Sequence, residues 1–264
     1  MVIAIIVQAR MASTRLPGKV LKKIFGKTLL EHLISRLKKV KSADKTIVAT
    51  TTKQRDGKIV KVAKKLGVDF FRGSEEDVLD RTYQAAKIRR LADGDAIVRV
   101  TSDCPIIDPA IVDKVINFYK RNKNKFDYVS NTYPPTFPDG MDTEVFSFKA
   151  LERAWKNASL LSEREHVTAY IYKHTEIFRI GNVRSTKDNS HLRLTVDEPN
   201  DLILARKICG ALYKKNKYFT LRDILSFLKR NPKSISINQH IKRNEGYLTS
   251  LKEDAKFLKE AQVK

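Results

Sequence analysis

An α/β fold, with a mostly parallel sheet and a small antiparallel insertion, follows from three features of the sequence. Apolar, β-branched runs alternate with amphipathic stretches of helical period over the first half of the chain. That βαβαβαβα order argues for parallel strands covered by helices on both faces. The alternation then breaks down over residues 126–196 into short strands and loops such as "NTYPPTFPDGMD", the mark of an inserted antiparallel part.

The elements follow in order. "VIAIIV" predicts a first buried strand over residues 2–7. A helix over 28–40 places Leu29, Leu30, Leu33, Ile34 and Leu37 on one face. Strands at 46–51, 68–71 and 96–101 alternate with helices at 54–66, 75–91 and 109–123; Ser74 reads as the N-cap of the helix that follows it. In the mixed middle, strands are expected at 128–131, 144–148, 177–180 and 192–196 and helices at 149–157 and 163–173. Ser162 and Glu165 have the spacing of a capping box. Helices at 199–213 and 221–229 close a domain that spans residues 1–230. Residues 231–264 read as an appendage, either a short strand with a surface helix or an interface arm.

Composition narrows the function. The chain has 264 residues, enough for one large α/β domain, and no apolar run nears the roughly 20 residues that cross a bilayer. "MVIAIIVQAR" lacks the basic start and the length of a signal peptide. Cys104 and Cys209 are far apart, with no CxxC and no His/Cys cluster, so neither a disulfide framework nor a structural zinc is expected and the compartment is read as cytoplasmic. The net charge of +22 raises the question of nucleic acid. The lysines recur on outer helix faces, as in "SRLKKVK" and "VKVAKKLG", without interleaved aromatics or a nucleic-acid motif. They are read as a solvated surface, and a nucleic-acid partner is not expected. Such a surface also attracts polyanionic small substrates.

Ligands of parallel α/β sheets bind where strands end and loops begin. Arg10, Ser13, Thr14, Arg15, Gly18 and Lys19 follow the first strand; Asp103 follows the fourth, in "VRVTSDCPIIDP"; Asp197 and Glu198 follow the last, in "LRLTVDEPNDL". Three cations and two separated carboxylates therefore share one sheet edge. Carboxylates on such a rim suit Mg²⁺, which fills its remaining positions with water and phosphate oxygens. The cations suit a triphosphate and the charge of its transition state. Each element also has a plain structural reading, as a loop cation, a Pro17-Gly18 turn or a helix cap. Two phosphate motifs fail: Leu21 stands where a P-loop needs its first glycine before Gly26-Lys27-Thr28, and no Gly-x-Gly-x-x-Gly follows the first strand. "DGD" at 93–95 precedes its strand, at the wrong end for a site, and reads as a turn.

"ARMASTRLPGK" resembles the signature loop of the nucleotide-sugar cytidylyltransferases. It is similar to that of the 3-deoxy-manno-octulosonate and acylneuraminate enzymes and most like the SpsF branch of spore-coat polysaccharide biosynthesis. "GSEEDVLDRTYQAA", "VRVTSDCPIIDP", "FPDGMDTEVFSF", "EREHVTAYI" and "LRLTVDEPNDL" extend the resemblance from Val2 to about Tyr213. It implies a Rossmann-like sheet of the nucleotide-diphospho-sugar transferase type. It further implies Mg²⁺-dependent transfer of CMP from CTP to an acidic sugar of 2-keto sugar acid type, with pyrophosphate released. Arg10, Arg15 and Lys19 would hold the triphosphate as the catalytic cations, with Ala9, Ser13, Thr14 and Gly18 of the same loop. Ser74, Asp77, Val78 and Arg81 would lie near the nucleotide, and Asp103 and Asp197 would hold the metal. Asp142 and Glu144 are expected on the acceptor side. Arg164 and His166 are expected there too, at a helix start that attracts the acceptor carboxylate. Thr101, also placed at the nucleotide, stands where the octulosonate enzymes carry a base-reading glutamine. Relatives of this kind are often homodimers.

Overall fold

In the computed structural model, which describes residues 1–262, strands and helices alternate around one seven-stranded sheet. β1 (Ile3–Gln8) is followed by a two-stranded hairpin, β2 (Lys23–Ile24) with β3 (Lys27–Thr28), and then by α1 (Leu29–Leu37). β4 (Lys45–Thr51), α2 (Gly57–Lys65), β5 (Asp69–Gly73), α3 (Val78–Ile88), β6 (Ala96–Thr101) and α4 (Pro109–Asn122) complete the regular half. The second half adds β7 (Tyr128–Ser130), β8 (Glu144–Ser147), α5 (Phe148–Asn157), α6 (Leu161–Glu165), α7 (Ala169–Lys173), β9 (Ile180–Asn182), α8 (Pro199–Leu212), α9 (Leu221–Arg230) and α10 (Glu245–Gln262).

The sheet order is β5-β4-β1-β6-β8-β7-β9. β5, β4, β1 and β6 are parallel, and β8 alone runs against its neighbours β6 and β7. The predicted antiparallel insertion is therefore one strand threaded into the main sheet, beside the small β2–β3 hairpin. β1 is fully buried because both faces are covered: Ile3, Ile5 and Val7 pack with α1, α4 and α8, whereas Ala4 and Ile6 pack with α3 and α5. The chain winds outward from β1 in both directions, so β1 lies at the point where strand order reverses. In open α/β sheets the ligand crevice opens there.

Four expectations are corrected. Residues 192–196 are extended but form no sheet strand. They cross the ends of two loops, with Leu194 N donating to Asp139 O at 2.7 Å and Val196 N to Asp103 O at 2.8 Å. The helix expected over 163–173 is two short ones, α6 and α7, separated by Val167 in the left-handed region at φ 58°. The capping box is not Ser162 with Glu165, since the Glu163 carboxylate accepts from Leu160 N at 3.3 Å and frees Glu165 for other partners. α3 likewise starts later than expected and is capped by Asp77, which accepts from Asp80 N, rather than by Ser74. Among the described residues no helix is long and apolar enough to cross a membrane.

Candidate active site

The loop after β1 is fixed at both ends before any ligand arrives. Asp56, fully buried, accepts from Met11 N at 2.7 Å and from the Thr51 hydroxyl. Gly18 N donates to Met11 O at 3.2 Å and closes the loop. Gly18 adopts φ 64°, a left-handed conformation that glycine takes without a Cβ penalty. Ala9 is buried and pinned to Ala49 O, and the Ser13 hydroxyl accepts from Leu16 N. Thr14 is exposed.

This scaffold delivers Lys19 to the two predicted metal carboxylates. Its Nζ lies 3.0 Å from Asp103 Oδ2 and 2.6 Å from Asp197 Oδ1. Burial works against the ammonium charge, but the two carboxylates outweigh it and raise the Lys19 pKa, so the side chain stays charged. Burial likewise tends to neutralise Asp103. Lys19 and the Thr101 hydroxyl, which donates to Asp103 Oδ1 at 2.5 Å, more than offset it and hold the carboxyl well below the usual range. Thr101 thereby serves the carboxylate rather than a base. Arg15 reaches Asp197 at 3.2 Å and Glu245, from the start of α10, at 3.3 Å.

Arg193, which the sequence reading passed over, locks this end of the site. Its guanidinium donates to both oxygens of Asp201 at 2.9 and 3.1 Å, to Asp197 Oδ2 at 2.9 Å and to Asp139 Oδ2 at 2.9 Å. Its side chain is 6% exposed and that of Asp201 is fully buried. Arg193→Met should cost about 3–5 kcal/mol of stability, because it leaves the fully buried Asp201 carboxylate without its paired cation. Urea unfolding would measure this; a loss below about 1 kcal/mol would mean that the hydrogen bonds from Asn238 and from the Asp197 and Glu198 N–H groups suffice to hold Asp201.

Arg15, Thr101, Asp103, Asp142, Glu144, His166 and Asp197 share the wall of one cavity of about 310 Å³, with Arg99, Asp139, Arg193 and residues 242–247. Glu144 is saturated: it pairs with Arg99 and accepts from the Tyr128 and Thr168 hydroxyls, each at 2.6 Å. Burial, with Asp142 nearby, pushes the Asp139 carboxyl up to about 7. Asp142 pairs with Arg243 at 2.6 Å.

The expected cationic helix start does not form. Arg164 is spent on Asp77 and on Trp155 O. His166 does reach the cavity, but burial lowers its pKa to about 4 and keeps it neutral near pH 7. The "GSEEDVLDR" residues lie outside this wall. Arg81 and Val78 are buried, with Arg81 clamping the carbonyls of Ser74 and Glu75; the Ser74 hydroxyl accepts from Asp77 N at 3.0 Å. Arg10 touches the same turn through Glu75 O, at 3.3 Å, and pairs with Glu165 at 3.4 Å.

No group of three or more His, Cys, Asp or Glu side chains is gathered for a metal among the described residues. Asp103 and Asp197 do converge, within 3.0 Å and 2.6 Å of one Lys19 nitrogen. Two carboxylates so close fit an ion that takes one or two protein oxygens and completes its shell with phosphate and water.

The sequence profile described as cytidylyltransferase matches residues 4–250. An uncharacterized protein of Methanocaldococcus jannaschii is 41% identical over 245 residues, covering 90% of this chain and 95% of its own. The spore coat polysaccharide biosynthesis protein SpsF of Bacillus subtilis is 32% identical over 240 residues, covering 87% and 95%. The solved structure of a cytidylyltransferase from Leptospira borgpetersenii superposes with a TM-score of 0.85 at 36% identity, over 92% of this chain and 100% of the other.

Proposed function

The chain belongs to the cytidylyltransferase family, and from that premise we propose that it moves CMP from CTP to a hydroxyl of an acidic sugar of the 2-keto sugar acid type, for surface polysaccharide synthesis. The observation that carries this reading is the placement of Lys19 between Asp103 and Asp197, with Arg15 alongside, at the end of β1 where strand order reverses. The acceptor hydroxyl gives up its proton to water as its oxygen attacks the α-phosphorus, a new P–O bond forms, and the bond to the leaving pyrophosphate breaks. No protein nucleophile is required.

Lys19 and Arg15 are the charged groups placed to hold the phosphates, Lys19 seated between Asp103 and Asp197 and Arg15 against Asp197 and Glu245. Asp103 and Asp197 are the residues that would hold Mg²⁺, which when bound supplies charge neutralisation at the phosphate oxygens. Arg10 borders the triphosphate loop and the "GSEED" turn, a place suited to the nucleotide. The work of the protein is positioning and electrostatic stabilisation.

A second reading, another nucleotide on the same scaffold, is favoured by one detail: Thr101 is committed to Asp103 and leaves no side chain from that position to read a base. A pyrophosphate-release screen of the four ribonucleoside triphosphates against acidic sugars, sugar phosphates and small phosphonates separates the readings. Release with CTP and a sugar acid, and not with the other pairs, is expected. Release confined to another nucleotide or to a phosphorylated acceptor would overturn the assignment.

A further inference from the structure

Resting on that reading, we propose that residues 242–247 form the acceptor-selecting wall of the site, and that Tyr247, together with Tyr172 and Tyr133, packs against the acceptor in its cyclic form. Asp103, Asp197 and Arg15 line the cavity. So do three phenol rings from separate parts of the chain: Tyr133 after β7, Tyr172 on α7 and Tyr247 on α10. Tyr133 and Tyr172 stack with centroids 5.6 Å apart, and Tyr172 meets Tyr247 edge-on at 6.1 Å. Together they make a continuous aromatic surface inside an otherwise polar cavity.

Such a surface suits a sugar ring. The C–H groups of a pyranose are polarised by their oxygens, and they are drawn to the electron-rich faces of aromatic rings. Asp142 and Thr132 lie in the same wall, where hydroxyls at the edge of such a ring would find partners. An open-chain phosphonate offers no face to cover this surface.

Residues 242–250 are also tied into the site from both ends. Arg243 pairs with Asp142 at 2.6 Å, and Glu245 pairs with Arg15 of the phosphate loop at 3.3 Å. Ser250 donates to Glu165 at 2.8 Å and bonds His166 at 3.1 Å, while His166 stands edge-on to Tyr247 at 5.1 Å. Tyr247 is therefore held in place beside the reacting end, on a segment that supplies no predicted phosphate or metal contact.

The test compares wild type with Tyr247→Ala, Tyr247→Leu and Tyr247→Phe. CTP affinity is measured by calorimetry. Pyrophosphate release is measured with CTP and either 3-deoxy-manno-octulosonate, N-acetylneuraminate or 2-hydroxyethylphosphonate. Wild type should use a ring acceptor. Tyr247→Ala should raise the KM for that acceptor roughly tenfold with CTP affinity unchanged. Tyr247→Leu, which keeps bulk without a π face, should behave like Tyr247→Ala, and Tyr247→Phe like wild type. An unchanged acceptor KM in both Tyr247→Ala and Tyr247→Leu overturns the proposal. So does a loss of CTP affinity with acceptor KM untouched, which would make the wall a nucleobase platform. Turnover with the phosphonate alone overturns the ring assignment and leaves nucleotidyl transfer standing. Absence of release with every acceptor, alongside intact CTP binding, overturns both the ring wall and the sugar-acid reading.

Discussion

Lys19→Ala should lower kcat for pyrophosphate release by about 10²–10³-fold and change the KM for CTP little. Lys19 is a fixed charge: its side chain is 14% exposed, and two carboxylates keep it protonated and in place. Negative charge shifts toward the α-phosphate oxygens and the leaving pyrophosphate as the acceptor attacks. A cation that needs no reorganisation there stabilises the transition state more than the bound substrate. Lys19→Arg should rescue poorly, because a planar guanidinium does not reproduce a compact ammonium seated between two carboxylates. Steady-state kinetics over a range of CTP concentrations decide the matter. A raised KM with unchanged kcat would show uniform binding and sink the transition-state role.

The loop after β1 was legible because its residues are contiguous: a buried strand that stops at three cations and a Pro-Gly turn needs no long-range knowledge. Asp103 and Asp197 were legible from their position after apolar runs, although residues 192–196 reach the site by bonding to the 103 and 139 loops instead of joining the sheet. What stayed hidden depends on partners far away in sequence. Arg164 reads as a free cation until Asp77, 87 residues away, is seen to neutralise it. Glu165 reads as a cap until Arg10 and Ser250 claim it. Residues 243–247 carry no motif, and only the return of α10 onto α6 brings them to the cavity.

Two signals were present and unused. Arg99 and Arg193 interrupt the apolar runs "AIVRVT" and "HLRLTV", and a charge inside a buried stretch demands a buried counter-ion. Glu144 answers the first, and the Asp139, Asp197 and Asp201 set answers the second. A cation embedded in an otherwise buried run was thus a stronger pointer to this site than the exposed lysines that dominate the net charge.

Asp103→Asn and Asp197→Asn should each lower Mg²⁺-dependent turnover by about 10³-fold, since either change removes an anionic oxygen from the pair placed to hold the ion. Their effects on stability should differ, and that difference separates a metal role from a structural one. Asp197 also answers Arg193 at 2.9 Å and Arg15 at 3.2 Å, so its neutralisation loosens the buried Arg193 clasp. Among the described residues the only cation paired with Asp103 is Lys19, which retains Asp197 when Asp103 is neutralised. Asp103→Asn should therefore melt closer to wild type than Asp197→Asn, while losing as much turnover. Thermal melts, together with Mg²⁺ titrations of pyrophosphate release, read both quantities. A rightward shift of the Mg²⁺ curve in Asp103→Asn, with partial recovery at high Mg²⁺, is the signature of a weakened metal ligand. Near-normal turnover of Asp103→Asn at low Mg²⁺ would remove it from the metal site and leave it only as the anion that positions Lys19.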